Sequence, residues 1–300
     1  MAEYMEGTSA QSLQDFLTNS PWDHEQLNQQ RVEHLLDNAV SSDGALVFDD
    51  TGFEKKGNCS VGVARQYSGT LGKVGNCQIA VSCQYTDIKY TWPVNARLYL
   101  PESWTKDSQR MKRARVPETV TFKTKPQIAL ELLDQANSMG IKHNMILGDS
   151  FYGRDNTFIE GLEARKETYA LSVPCDFTVR FEQDITTFVP PKKSGKRSAK
   201  LDTAALPPQY RVDWLIHRIP EDYWKVITWR DGSKGELKKQ FAFLRVRWST
   251  QTKLGNQGWL VFERPLPGKT GDTKYYFSNL PVDTQDVRIV EYIHRRHTID

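Results

Sequence analysis

Apolar positions change period several times along the chain, and each change predicts an element. ALVFDD (45–50) is a continuous apolar run that stops on two acids, and NMILGDSFYG (144–153) repeats the pattern. Each predicts a buried strand that ends on a carboxylate. Residues 75–87 (GNCQIAVSCQYTD) and 92–101 (WPVNARLYLP) alternate apolar and polar, the period of a strand with one buried face. The few polar residues between them, Asp87 to Lys89, predict an antiparallel hairpin, so 45–101 reads as three consecutive strands. In KPQIALELLDQANSMG (125–140), Ile128, Leu132, Leu133 and Ala136 fall on one helical face, with Pro126 in the first turn and Gly140 at the end. A helix over about 155–166 and a strand at YALSVPC follow, giving the order β-β-β-α-β-α-β.

The flanks read differently. Residues 10–39 carry Leu13, Phe16 and Leu17, then Val32, Leu35 and Leu36, at helical spacing, broken into two helices at Ser20–Pro21. After Cys175, VPPKKSGKRSAK (189–200) has five basic residues, two prolines and no acid, the pattern of an exposed loop. Five aromatic runs then predict the strands of an antiparallel insert: YRVDWLIHRI, YWKVITWR, KQFAFLRVRW, GWLVFERP and TKYYFSNL. A last helix begins at about 284, with Thr284 as N-cap, and the chain stops within it. The expected organisation is a helical segment at 1–42, an α/β core at 43–175, a β-rich insertion subdomain at 176–283 and the start of a final core helix at 284–300.

Composition adds limits rather than identity. With 38% hydrophobic and 26% charged residues, the 300-residue chain reads as globular, and a net charge of +3 does not by itself identify a nucleic-acid partner. Cys59, Cys77, Cys83 and Cys175 lack the paired spacing of zinc sites and read as reduced core thiols. No window approaches the roughly 18 apolar residues of a membrane span, and the first residues lack the pattern of a signal peptide. A cytoplasmic protein with no membrane partner is expected.

The chemistry lies in the repeated strand-end acids. An aspartate after one apolar strand is by itself a turn or cap residue. Three antiparallel strands followed by αβ units, however, form an order similar to the core of the ribonuclease H-like fold, in which the first and fourth strands lie side by side. Asp50 and Asp149 then meet, and paired carboxylates are the oxygen donors that hard divalent ions take.

DDTGFEKKGNCSVGVARQYSGTLGKVGNCQ, ARLYLP, GDSFYG and YIHRRHTID together resemble the catalytic domain of cut-and-paste insertion-sequence transposases of the DDE superfamily, in the branch with a tyrosine-arginine-glutamate-lysine signature on the last helix. The resemblance runs from about 45 to the end. It implies a ribonuclease H-like mixed sheet with flanking helices, interrupted by a β-rich insert. The first catalytic acid precedes the threonine, selecting Asp50 and leaving Asp49 to the turn or to support; the second is Asp149. The third follows an arginine-rich stretch and an isoleucine, selecting Asp300, an aspartate where the family has glutamate. These three would hold two Mg²⁺ or Mn²⁺ ions. Tyr292 and Arg295 or Arg296 correspond to the signature's DNA-contacting tyrosine and arginine, and Tyr275 or Tyr276 to an aromatic residue that stacks on a displaced base. The signature's lysine is missing because the chain ends, so a truncated reading frame is expected.

The implied function is metal-dependent DNA cleavage and strand transfer at insertion-sequence ends, on double-stranded DNA, by a homodimer on paired ends in the nucleoid. The alternatives are a DNA-binding transposase remnant that does not cut and another ribonuclease H-like nuclease. Candidate phosphate contacts are Lys55, Lys56, Arg65, Lys73 and Arg97 near the hairpin. The acid-free runs at 109–115 (Arg110, Lys112, Arg113, Arg115) and 192–200 (Lys192, Lys193, Lys196, Arg197) add to them. His294 and His297 share a helical face and read as surface or packing histidines.

Overall fold

The apolar runs of residues 45–278 become strands of one mixed sheet. The computed structural model describes residues 7–21, 23–38, 41, 43–87, 89–187, 206–232 and 235–296. Residues 1–40 and 41–300 fall into two units. The first holds α1 (Ala10–Asn19) and α2 (His24–Asn38). A capping box starts α1, in which the Ser9 and Ser12 side chains each accept the other's backbone N–H.

The second unit opens with β1 (Ala45–Glu54), β2 (Ala64–Ser68), β3 (Lys73–Thr86) and β4 (Thr91–Leu98). Antiparallel pairing joins β1 to β3, and β3 carries β2 along its first half and β4 along its second. Then come α3 (Glu102–Thr105), α4 (Ser108–Arg113), α5 (Lys125–Ser138), β5 (Met145–Gly148), α6 (Ser150–Arg154), α7 (Asn156–Ala164) and β6 (Tyr169–Val173). Parallel pairing sets β5 beside β1 and β6 beside β5. The remainder is β7 (Thr178–Arg180), α8 (Glu182–Thr187), β8 (Tyr210–Arg211), α9 (Val212–Leu215), β9 (Lys225–Gly232), β10 (Gly235–Ser249), β11 (Leu254–Arg264), β12 (Lys274–Ser278) and α10 (Asp286–Arg295). Because β12 pairs antiparallel with β6, the strands of the 176–283 region continue the core sheet, in the order β2-β3-β1-β5-β6-β12-β11-β10-β7-β8.

Two helical layers flank the strands that carry the acids. On one face Phe48 meets Phe158 of α7 edge-on, and α7 lies against α5. On the other, α10 buries Ile289, Val290 and Ile293 in a cluster with Ala45 and Val47 of β1, Met145 and Leu147 of β5 and Ala170 of β6. α5 starts on a Thr124–Gln127 capping box, as its apolar spacing and Pro126 predict.

Several expectations change. β1 continues past Asp50 because residues up to Glu54 still pair with β3, so Asp50 is within the strand rather than at its end. The short, half-polar β2 is an additional strand within 45–101. YRVDWLIHRI, expected as a strand, is extended only at Tyr210–Arg211 before turning helical: Val212 and Leu215, three apart, are both buried, the spacing of a helical turn. The basic run 109–115 begins in α4, capped by Asp107, and Gln285 rather than Thr284 occupies the N-cap of α10. All four cysteines are free, but Cys59 and Cys175 are exposed and outside the core.

Candidate carboxylate site on the central strands

The parallel ladder of β1 and β5 pairs Ala45 with Met145, Leu46 with Ile146, Val47 with Leu147 and Phe48 with Gly148. The residues that follow this last pair are Asp49, still within β1, and Asp149, the first beyond β5. Side chains alternate between faces along a strand, so both acids follow Val47 and Leu147 onto the α10 face. Asp50 follows Leu46 and Phe48 onto the opposite face.

Asp49 Oδ1 accepts its neighbour's backbone N–H, from Asp50, at 2.8 Å, and Arg296, at the C-cap of α10, approaches Asp49 Oδ2 at 3.4 Å. Asp149 is the N-cap of α6, where Oδ1 accepts from the backbone N–H groups of Phe151 (2.9 Å) and Tyr152 (3.3 Å). Burial raises both carboxyls above the ordinary aspartate value; Arg296 and the donated N–H groups oppose the rise without cancelling it. Repulsion among neighbouring aspartates adds to it, from Asp149 and Asp50 on Asp49 and from Asp50 on Asp149.

Asp50 has other partners. The Tyr152 hydroxyl donates to Oδ1 at 2.6 Å and the Lys125 ammonium to Oδ2 at 2.6 Å. Lys125 also lies over the rings of Phe151 (5.1 Å) and Tyr99 (5.6 Å). Strand alternation puts the Asp50 side chain on the opposite face, although its charge still reaches Asp149, and the acid that shares the α10 face with Asp149 is Asp49. The signal was present in the sequence, since Asp49 and Asp149 each stand four residues after the first residue of their strands, Ala45 and Met145. Lys125 and Tyr152 carried no such signal.

An open cleft of ≈ 400 Å³ adjoins Asp149, lined among others by Ser150, Ser172, Lys274, Tyr275 and Arg296. Of the two stacking candidates, Tyr275 is half-buried and borders this cleft. Tyr276 is 2% exposed with its hydroxyl on Glu263 at 2.9 Å, so its ring belongs to the core. The pair Arg295 and Arg296 separates as well. Arg295 donates to Asp43, as does the Tyr292 hydroxyl (3.2 Å), which also accepts from Asn144 (2.8 Å) and Arg288 (2.9 Å). Asp43 precedes β1, so these two residues pin α10 to the far end of that strand and do not face the carboxylates. Arg296 does.

Among the other basic candidates, Arg65 and Lys73 are exposed on β2 and β3, Lys55 and Lys56 follow β1, and Lys112, Arg113 and Arg115 are exposed in and after α4. Arg110 is held in the fold, its guanidinium 3.7 Å from the Trp104 ring centre and donating to the Asn58 carbonyl at 2.8 Å; Arg97 is paired with Glu131. Asp300, His297, Lys192, Lys193, Lys196 and Arg197 lie outside the described residues. His294 is a packing histidine, stacked on Trp229 at 4.0 Å. No group of three His, Cys, Asp or Glu side chains among the described residues is arranged to hold a metal. No helix among the described residues is long and apolar enough to cross a membrane.

Similarity to known proteins gives the family of this chain. Residues 1–236 match the family described as DDE superfamily endonuclease, and the chain belongs to that family. It is 35% identical over 164 residues to a probable transposase for insertion sequence element IS701 from Microchaete diplosiphon. That alignment covers 54% of this chain, which spans 40% of the relative's length. A comparison with the crystal structure of the NurA nuclease from Sulfolobus solfataricus covers 96% of this chain and 86% of that one, with 11% identity and a TM-score of 0.28, too low to bear on the fold.

Proposed function

We propose that the chain is the catalytic part of an insertion-sequence transposase, which cuts DNA phosphodiester bonds with Mg²⁺ or Mn²⁺ held first by Asp49 and Asp149. The observation that carries this reading is the β1–β5 register, whose last pair, Phe48 and Gly148, is followed on each side by an aspartate. The sheet order supports a ribonuclease H-like core: three antiparallel strands, then two parallel ones reached through α5 and through α6 and α7.

The residues fit a hard divalent ion. Both donors are carboxylates, burial opposes their charge, and the Arg296 guanidinium stands 3.4 Å from Asp49. Two like charges brought together repel, and a bound cation relieves the repulsion. When bound, such an ion supplies Lewis acidity and a more acidic water at the scissile phosphate. The chain's own groups hold and orient. The α6 N-terminus fixes Asp149 through two N–H groups. Arg296 and Lys274 line the cleft where a phosphate backbone would run.

Asp300, four residues beyond Arg296, is retained as the proposed third acid. The exposed Arg65, Lys73, Lys112, Arg113 and Arg115, with Lys55, Lys56 and the 192–197 cluster, are proposed to track duplex DNA. Strand transfer, a homodimer on paired ends and association with the nucleoid are proposed with the same reading.

Titration with Mn²⁺ should raise the melting temperature of the chain and support nicking of supercoiled DNA. Asp49→Asn with Asp149→Asn should remove both responses while leaving salt-dependent DNA binding. Metal-independent nicking, or an unchanged Mn²⁺ response in the double variant, would contradict the assignment. DNA binding without nicking by the unaltered chain would favour a non-cutting remnant.

A further inference from the structure

We propose that Asp50, the acid beside the threonine, is a positioning residue rather than a metal ligand: through Tyr152 it fixes the carboxylate of Asp149, and through Lys125 it anchors α5 to the same strand. The proposal rests on the reading of Asp49 and Asp149 as the metal-holding pair.

Tyr152 touches both aspartates. Its backbone N–H donates to Asp149 Oδ1 at 3.3 Å, and its hydroxyl donates to Asp50 Oδ1 at 2.6 Å. The side chain is 1% exposed, with its ring 5.2 Å from that of Phe158. The next residue locks the helix in place: a Cβ on Gly153 would come within 1.9 Å of the Ser172 carbonyl oxygen, so only glycine lets α6 lie this close to β6. A short helix wedged against one strand, capped by Asp149 and hooked by a phenol onto the neighbouring strand, leaves the Asp149 carboxylate little freedom.

Lys125 gives a second sign that Asp50 serves the fold. A lysine in the first turn of a helix opposes the helix dipole. Here its ammonium is 2.6 Å from Asp50 Oδ2, with both side chains mostly buried (15% and 18% exposed), so the pair explains a residue that the helix alone would disfavour. Both oxygens of Asp50 thus have a donor from the protein. A metal bound to Asp50 would have to share each oxygen with the phenol or the ammonium, whereas both N–H groups donated to Asp149 fall on Oδ1 and Asp49 Oδ2 has a guanidinium at 3.4 Å. Residues that orient a metal ligand from behind typically change metal affinity 10–100-fold when removed.

The test is Mn²⁺ calorimetry on the full 300-residue chain, with the metal-free melting temperature measured alongside. Asp49→Asn or Asp149→Asn should lose Mn²⁺ binding. Asp50→Asn and Tyr152→Phe should keep the stoichiometry but weaken the Kd about 10–100-fold. Tyr152→Phe keeps the ring and the backbone donor, so it reads positioning even where Asp50→Asn or Lys125→Met fails to fold. Binding abolished by Asp50→Asn and retained by Asp49→Asn would overturn the proposal, as would a Kd untouched by both Asp50→Asn and Tyr152→Phe. No Mn²⁺ binding by the unaltered chain would instead remove the metal reading on which the proposal stands.

Discussion

Two acidic sites lie against α10 and differ in how their charge is met. Glu263 of β11 is fully buried, accepts from the Tyr276 hydroxyl, and pairs with Lys239 and with His294 of α10 at 3.1 Å. Burial alone would raise its carboxyl, but His294 and Lys239 outweigh that and hold it at about 2. Asp49 and Asp149, under the C-terminal end of the same helix, have Arg296 as the named opposing cation, and burial keeps both carboxyls raised. A charge matched from all sides is part of the fold. On the proposed reading, a pair whose charge burial disfavours is completed by a cation from outside the chain.

Substitution separates the two sites by sign. Glu263→Gln leaves Lys239 and His294 without their buried counter-charge and should destabilise the chain by about 3–5 kcal/mol, read from urea unfolding. Asp49→Asn with Asp149→Asn should leave metal-free stability unchanged or raise it, because it removes charges that burial disfavours. Loss of several kcal/mol from the double aspartate variant would place both sites in the same structural class.

Acid gives a smaller contrast. The depressed Glu263 carboxyl contributes stability that is complete above the ordinary glutamate value of 4.5 and lost as pH falls toward about 2. Unfolding free energy of the unaltered chain should therefore fall across that window, and that of Glu263→Gln should fall less. Asp49 and Asp149 work the other way: their folded values are raised, so their protonation as pH drops relieves a cost. Equal acid sensitivity with and without Glu263 would break the comparison.

The smallest effects belong to single cations. Arg296→Gln should lower duplex-DNA affinity and reduce the slope of log affinity against log salt by about one, as should Arg113→Gln on α4. The difference should appear with Mn²⁺. Losing Arg296 removes a competing cation from Asp49 and should strengthen Mn²⁺ binding, whereas Arg113→Gln should leave it unchanged.

Much of this arrangement was legible in the sequence because period encodes faces. The alternation of 75–87 and the apolar stripe of 125–140 were sufficient for the antiparallel strands and α5, while the adjacency of β1 and β5 came from the similarity to a ribonuclease H-like order and not from period. What failed were features that pattern does not carry. VDWL reads as strand by its aromatic and branched residues, yet a buried Val212 and Leu215 make it helical. Asp49 and Asp50 are adjacent letters, and only the β5 register decides which one faces α10. Tyr292 and Arg295 fit a DNA-contacting signature by spacing, but their partner, Asp43, is about 250 residues away in the sequence and becomes visible only on folding.

The most direct test of the central claim is an anomalous-difference map from crystals of the chain soaked in Mn²⁺. The account predicts a peak on the α10 face of β1, within roughly 2.2 Å of a carboxylate oxygen of both Asp49 and Asp149, with Asp50 still bound to Tyr152 and Lys125. A peak on Asp50 with the Lys125 ammonium displaced, or no peak beside either strand, would contradict it.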